Sequence, residues 1–159
     1  KLDQIILICG RYEGVDERII KSKSRKFLDK HGVSCPYFLY VGNVYPHKNI
    51  YRALEALKTV NEKSQAKTCM IVVTPGDFFY DRLEAYKRKT MDHHILSFKK
   101  VTDLELSELY TNAVAFVYPS LLEGFGLPAL EAMSVGTPAV VSDIPVFLEV
   151  YKDNAFYLT

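Results

Sequence analysis

Two glutamates eight residues apart, Glu123 and Glu131, stand in the run Tyr118-Pro-Ser-Leu-Leu-Glu-Gly-Phe-Gly-Leu-Pro-Ala-Leu-Glu-Ala-Met-Ser-Val-Gly-Thr-Pro138. A strand over Val114 to Val117 ends at Pro119, and a loop follows with Gly124 and Gly126 around Phe125. Pro128 suits the first turn of a helix, where its missing N–H costs nothing, and Gly136 suits the end of that helix. Glu123 then lies in the loop and Glu131 inside the helix. Between them, unpaired N–H groups point out of the helix N-terminus and form an anion site. Anion donors flanked by two carboxylates suit a ligand that carries both phosphate and sugar hydroxyls.

A second group lies in Val41-Gly-Asn-Val-Tyr-Pro-His-Lys-Asn-Ile50. Gly42 lets the backbone pass close to a ligand. Lys48 stands just before a helix that starts near Asn49, which suits a diphosphate. The loop is not a Walker loop, because the glycine-lysine-serine ending is missing. Taken alone, Lys48 reads more readily as a solvated lysine on a turn; the glutamate loop beside it favours the phosphate. His47, His93 and His94 form no metal pattern and read as surface residues. Tyr40, Tyr110 and Tyr118 read as packing rather than as stacking platforms.

These residues need a scaffold. Seven short apolar runs read as strands: Ile5 to Cys9, Tyr37 to Val41, Cys69 to Val73, Ile95 to Phe98, Val114 to Val117, Ala139 to Ser142 and Ala155 to Leu158. They are continuously apolar, as strands buried on both faces are. Helical patterns alternate with them. Ile50, Ala53, Leu54, Leu57 and Val60 share one face. Asp77 to Met91 is a second helix, with Phe78, Leu83 and Tyr86 apolar. Thr102-Asp-Leu-Glu105 is a capping box that opens a helix through Tyr110. Asp143 before Ile-Pro145 reads as the N-cap of another. The alternation predicts an α/β fold, a three-layer Rossmann-like parallel sheet with helices on both faces. Ligands of such sheets bind at the carboxyl ends of the strands, where both loops lie.

Composition narrows the field. The 159 residues are 48% hydrophobic and 25% charged, ordinary for a globular domain with its own core. A net charge of +1 argues against nucleic acid or a membrane surface as the main partner. The basic stretch Arg18 to Lys30 reads as a solvated helix face. Cys9, Cys35 and Cys69 are odd in number and scattered, which predicts buried free thiols in a reducing compartment. No run is long enough for a membrane span. The chain begins with Lys and no leader pattern, so a fragment of a longer protein is expected.

At these residues the chain resembles a large family, the retaining glycosyltransferases of the GT-B fold, and in particular glycosyltransferase family four. The likeness covers residues 27–159. It is carried by Pro36-Tyr-Phe-Leu-Tyr-Val-Gly42, Lys48, the Asp103 to Tyr110 helix and Pro119-Ser-Leu-Leu-Glu-Gly-Phe-Gly-Leu-Pro-Ala-Leu-Glu-Ala-Met133. Gly136-Thr-Pro138, Ser142-Asp-Ile-Pro145 and Glu149-Val also fit. The resemblance implies the donor-binding half of a GT-B fold, which transfers a hexose from a nucleotide-diphosphate sugar with retention. Gly42, Asn43 and Lys48 would line the donor site, with Lys48 on the diphosphate. Backbone N–H groups of Gly124, Phe125, Gly126 and Leu127 would meet sugar and phosphate. Glu123 would lie against the sugar and Glu131 would bind the ribose. Glu123 and Lys48 would be the catalytic pair, with no metal and no cofactor besides the donor. The likeness to mannosyltransferases suggests GDP-mannose among GDP- and UDP-sugars. Family members often carry an arginine where this chain has Asn43, which puts one of two cationic diphosphate contacts in doubt. A separate N-terminal domain would bind the acceptor, a glycan or a lipid-linked one, in the cytoplasm or at the membrane periphery.

Residues 1–20 resemble something else. Ile5-Ile-Leu-Ile-Cys-Gly-Arg-Tyr-Glu-Gly-Val-Asp-Glu-Arg18 is similar to the signature of tRNA (guanine-N1)-methyltransferases. Gly10, Tyr12, Glu13 and Gly14 would then face S-adenosylmethionine. The rest of that family's site has no counterpart. Residues 1–26 are therefore set apart as a strand–loop–helix segment of uncertain origin, native or joined from another protein, ahead of a domain at 27–159. The alternatives to the transferase are a fragment of such a methyltransferase and a non-catalytic sugar-nucleotide-binding module.

Overall fold

A computed structural model describes residues 24–158. The expected strand Ile5 to Cys9, the methyltransferase-like positions Gly10, Tyr12, Glu13 and Gly14, and residues 18–23 of the basic stretch lie outside the described residues. Six strands form one parallel sheet: β1 (Tyr37–Val41), β2 (Cys69–Val73), β3 (Ile95–Phe98), β4 (Ala115–Tyr118), β5 (Ala139–Ser142) and β6 (Phe156–Leu158). Their order across the sheet is β3-β2-β1-β4-β5-β6. The helices are α1 (Lys26–Lys30), α2 (Ile50–Lys63), α3 (Phe78–Thr90), α4 (Asp103–Asn112), α5 (Leu127–Ser134) and α6 (Pro145–Tyr151). Crossovers between parallel strands are right-handed. From β1 the chain steps outward one way through α2 and α3, and from β4 it steps the other way through α5 and α6. The two sets of helices therefore cover opposite faces. The order reverses between β1 and β4, and the loops that leave those strands open on the crevice at that reversal.

The strands follow the apolar runs closely. All five residues of β2 are buried, as a central strand covered on both faces requires. Leu39, Ile71, Phe116 and Val141 are completely excluded from water along the sheet. Asp77 caps α3 by accepting from the amides of Phe79 and Tyr80, and Thr102 with Glu105 closes the capping box of α4.

Three expectations change. Val60 is 50% exposed, and Asn61 is buried in its place. At about 100° per residue, position 61 comes back to within about 20° of Ile50, whereas position 60 lies about 80° away. The Asn61 side chain donates to the Thr68 carbonyl at 2.8 Å and accepts from the Thr68 amide at 2.9 Å, so it closes the turn from α2 to β2. Asp143 does not cap α6: the cap is Ile144, extended at ψ 150°, because Pro145 excludes the helical region for its predecessor. Cys35 and Cys69 are not free thiols but form a disulfide, with Cα atoms 6.2 Å apart. Cys35 precedes β1 and Cys69 opens β2, and the Tyr37–Cys69 register brings them to the same end of the sheet. Thirty-four residues of separation leave no local trace of that pairing.

The short α1 is held by a carboxylate from α4. Glu108 is 7% exposed and accepts from the amides of Phe27 (2.8 Å) and Leu28 (3.1 Å) and from the Ser24 hydroxyl (2.8 Å). These are donors that a helix start leaves unpaired.

Candidate functional site

The loop after β1 begins at Gly42, whose φ of 141° favours glycine. A Cβ there would touch the Tyr40 hydroxyl at 3.4 Å. That hydroxyl donates to the Asn43 carbonyl at 2.6 Å and shapes the loop from below. Val44 is buried, a 3₁₀ turn runs over Pro46–Lys48, and Asn49 in the left-handed region (φ 56°) redirects the chain into α2. The lysine is thereby placed at the start of α2, facing the crevice between β1 and β4.

The loop after β4 faces it. Ser120 is fully buried and donates to Glu123 Oε1 at 2.7 Å. Lys48 Nζ donates to the same oxygen at 2.6 Å. Both side chains are largely covered, at 14% and 8% exposure. The ammonium also lies over the Tyr118 ring, 5.9 Å from its centroid. Burial works against the charge on Glu123, but hydrogen bonds from Lys48, Ser120 and Tyr118 outweigh it and hold the carboxyl below its ordinary range. The Leu121 amide donates to the His47 carbonyl at 2.8 Å and ties the two loops together.

Gly126 is the N-cap of α5 at φ 93°. A Cβ there would overlap the Tyr151 hydroxyl and approach Phe147 to 2.7 Å. Tyr151, completely buried, donates to the Gly126 carbonyl at 2.6 Å. This clamp fixes the start of α5, where the first amides have no partner in the helix and Pro128 has no amide to satisfy. Phe125, Leu121 and Leu122 are exposed along the rim of the loop.

Glu131 lies on α5, half-buried, and its contact is with another element: Tyr110 donates to its Oε2 at 3.0 Å. Burial pushes its carboxyl above the ordinary range, the Tyr110 hydrogen bond works against that, and the charge of Asp103 adds to it. The two glutamates thus sit in contrasting surroundings, one beside a cation and one beside a neutral donor. Among the described residues, no three His, Cys, Asp or Glu side chains cluster as metal ligands would.

Lys48 and Glu123, chosen from sequence, are in direct contact. Gly42, Asn43, Gly124, Phe125, Gly126 and Leu127 line the two loops that hold them. His47 and His93 are exposed, and Tyr40, Tyr110 and Tyr118 are buried. Sequence reasoning missed the hydroxyls that hold the two carboxylates and the start of α5. Ser120, three residues before Glu123, carried a visible hint; Tyr110 and Tyr151 carried none, because their partners are distant in the chain.

A family model described as glycosyl transferases group 1 matches residues 16–158. The O-antigen chain mannosyltransferase RfbU of Salmonella typhimurium is 38% identical over 122 residues, which cover 77% of this chain and 34% of that protein. The O-antigen chain mannosyltransferase B of Escherichia coli is 38% identical over 118 residues, 74% of this chain and 31% of that one. The chain thus spans about a third of the length of these relatives. Among solved structures, HepE of Anabaena in complex with UDP-glucose superposes with a TM-score of 0.74 at 19% identity, over 93% of this chain and 42% of that one. The C-terminal domain of LpcC, a group 1 glycosyl transferase from Francisella tularensis, superposes at 0.65 with 22% identity, over 91% and 80%. At such identities these superpositions speak for the fold, a Rossmann-like half of the GT-B architecture. Matched along most of its length by the family model, and similar to two mannosyltransferases, the chain belongs to the glycosyl transferases group 1 family.

Proposed function

We propose that this domain binds a nucleotide-diphosphate sugar and presents it for glycosyl transfer with retention, in the manner of glycosyltransferase family four. The observation that carries the reading is the covered Lys48–Glu123 pair, set where the sheet order reverses and beside the start of α5. Relatives named as mannosyltransferases favour mannose as the sugar and GDP as the nucleotide.

Each residue has a part. An ammonium has three donors. Glu123 takes one on Lys48, which leaves two for diphosphate oxygens. As the bond between the anomeric carbon and the diphosphate oxygen breaks, negative charge gathers on the leaving group. Lys48 and the amides of Gly124, Phe125, Gly126 and Leu127 stabilise that charge from fixed positions. Glu123 orients a sugar hydroxyl and steadies positive charge near the ring. Glu131 accepts from the ribose hydroxyls. Asn43 offers no charge, so Lys48 is the diphosphate's cation here. The acceptor, a glycan or a lipid-linked one, belongs to a further domain of a longer protein. Alone, this domain binds donor and transfers little.

Titration calorimetry with GDP-mannose, UDP-glucose and ADP-glucose tests the reading. GDP-mannose is expected to bind best, and Lys48→Ala or Glu131→Ala to weaken it by about tenfold or more, the worth of a charged hydrogen bond. Undiminished affinity in both variants overturns the assignment, and a preference for another nucleotide moves the base.

A further inference from the structure

Glu131 is an acid that half-burial should discourage, yet the side chain that meets it is neutral. Tyr110 Oη donates to Oε2 at 3.0 Å. The tyrosine is 4% exposed, in the last turn of α4. Its ring lies 5.7 Å from that of Phe116, and its carbonyl accepts from the buried Thr137 hydroxyl at 2.6 Å. Ring and backbone are both fixed, so the hydroxyl is a donor at a set point in space. A buried phenol needs an acceptor, and a glutamate loses several rotatable bonds' worth of freedom when held still. One hydrogen bond meets both requirements. It uses one oxygen of the carboxylate and leaves Oε1 without a partner among the described residues.

We infer that Tyr110 is a positioning residue of the donor site, which sets Glu131 with one oxygen anchored and the other presented to a ribose diol. The inference rests on the donor-binding reading above. Its chemistry is preorganisation: a carboxylate already held in place gives up less entropy when it accepts from the ligand. Ser120 stands in a like relation to Glu123, anchoring its Oε1. Tyr110 does not touch the ligand, so its removal should act only on what Glu131 reads.

The test uses two probes, GDP and 2′,3′-dideoxy-GDP, titrated against the whole chain and three variants: Tyr110→Phe, Glu131→Gln and the double variant. The parent should prefer the ribonucleotide by about tenfold or more. Tyr110→Phe keeps the ring and its contacts. It should lose most of that preference while binding the dideoxy nucleotide as the parent does, a selectivity that general loosening of the core would not produce. The double variant should lose no more than Glu131→Gln alone, since both act on one contact. If Glu131→Gln loses the preference and Tyr110→Phe keeps it, Tyr110 is only a core residue and the inference fails. Additive losses overturn it equally. If Glu131→Gln itself keeps the preference, the ribose assignment falls and the inference falls with it. If the parent prefers another base, the same pair of probes is made with that base; if it binds none of GDP, UDP and ADP, the donor reading is at fault and the inference falls with it.

Discussion

Glu123 and Glu131 lean in opposite directions. Glu123 is held below its ordinary range, so its contribution to stability is present above the unfolded value and is lost as pH falls through the folded one. Glu131 is pushed above its ordinary range, so its contribution is full below the unfolded value and is lost as pH rises through the folded one. At neutral pH the ionised Glu131 therefore works against the fold. Glu131→Gln, which stays neutral, should melt higher than the parent at about pH 8 and no higher at about pH 4. Thermal melts at the two values check this, and a higher melting temperature at the acidic value alone would contradict it. A residue kept at a cost to stability is what a binding site requires. Residue types and spacing made the glutamates and Lys48 readable in the sequence. Their anchors were not readable, because a hydroxyl such as that of Tyr110, 21 residues from its acceptor, has no local signature.

At the scale of elements, the strands were legible because burial on both faces forces continuous apolar runs, as in β2. Caps were legible where the chemistry is local, as at Thr102 and Asp77. The start of α6 was misjudged because proline geometry overrode side-chain preference. The anchoring of α1 was hidden, because it depends on Glu108 some eighty residues away. That contact makes a prediction. Glu108→Ala should leave the amides of Phe27 and Leu28 unpaired and cost about 2 kcal/mol. Hydrogen exchange should accelerate across α1 while the sheet remains protected, and uniform acceleration would argue against a local role.

For the whole molecule, the disulfide and the proposed donor site lie at opposite ends of the sheet. Cys35 and Cys69 sit where β1 and β2 begin, and Lys48 and Glu123 follow the ends of β1 and β4. Closing a loop of this length is worth about 3–4 kcal/mol by chain entropy. Reduction, or a Cys35→Ser change, should lower the melting temperature by several degrees and leave donor affinity unchanged. Paired melts and titrations with and without reductant check both halves, and loss of affinity in a still-folded protein would show that the two ends communicate.

The bond from the Leu121 amide to the His47 carbonyl has a consequence for how such domains diversify. It is made by main chain to main chain, so among substitutions at Leu121 only proline, which has no amide N–H, removes the donor. The loop that carries the cation and the loop that carries the carboxylate are therefore coupled through their backbones. Grafting a foreign β1 loop alone, to alter the choice of donor, would import a lysine set for another glutamate. A swap has to carry both loops, and a lineage that changes its donor is expected to alter them together.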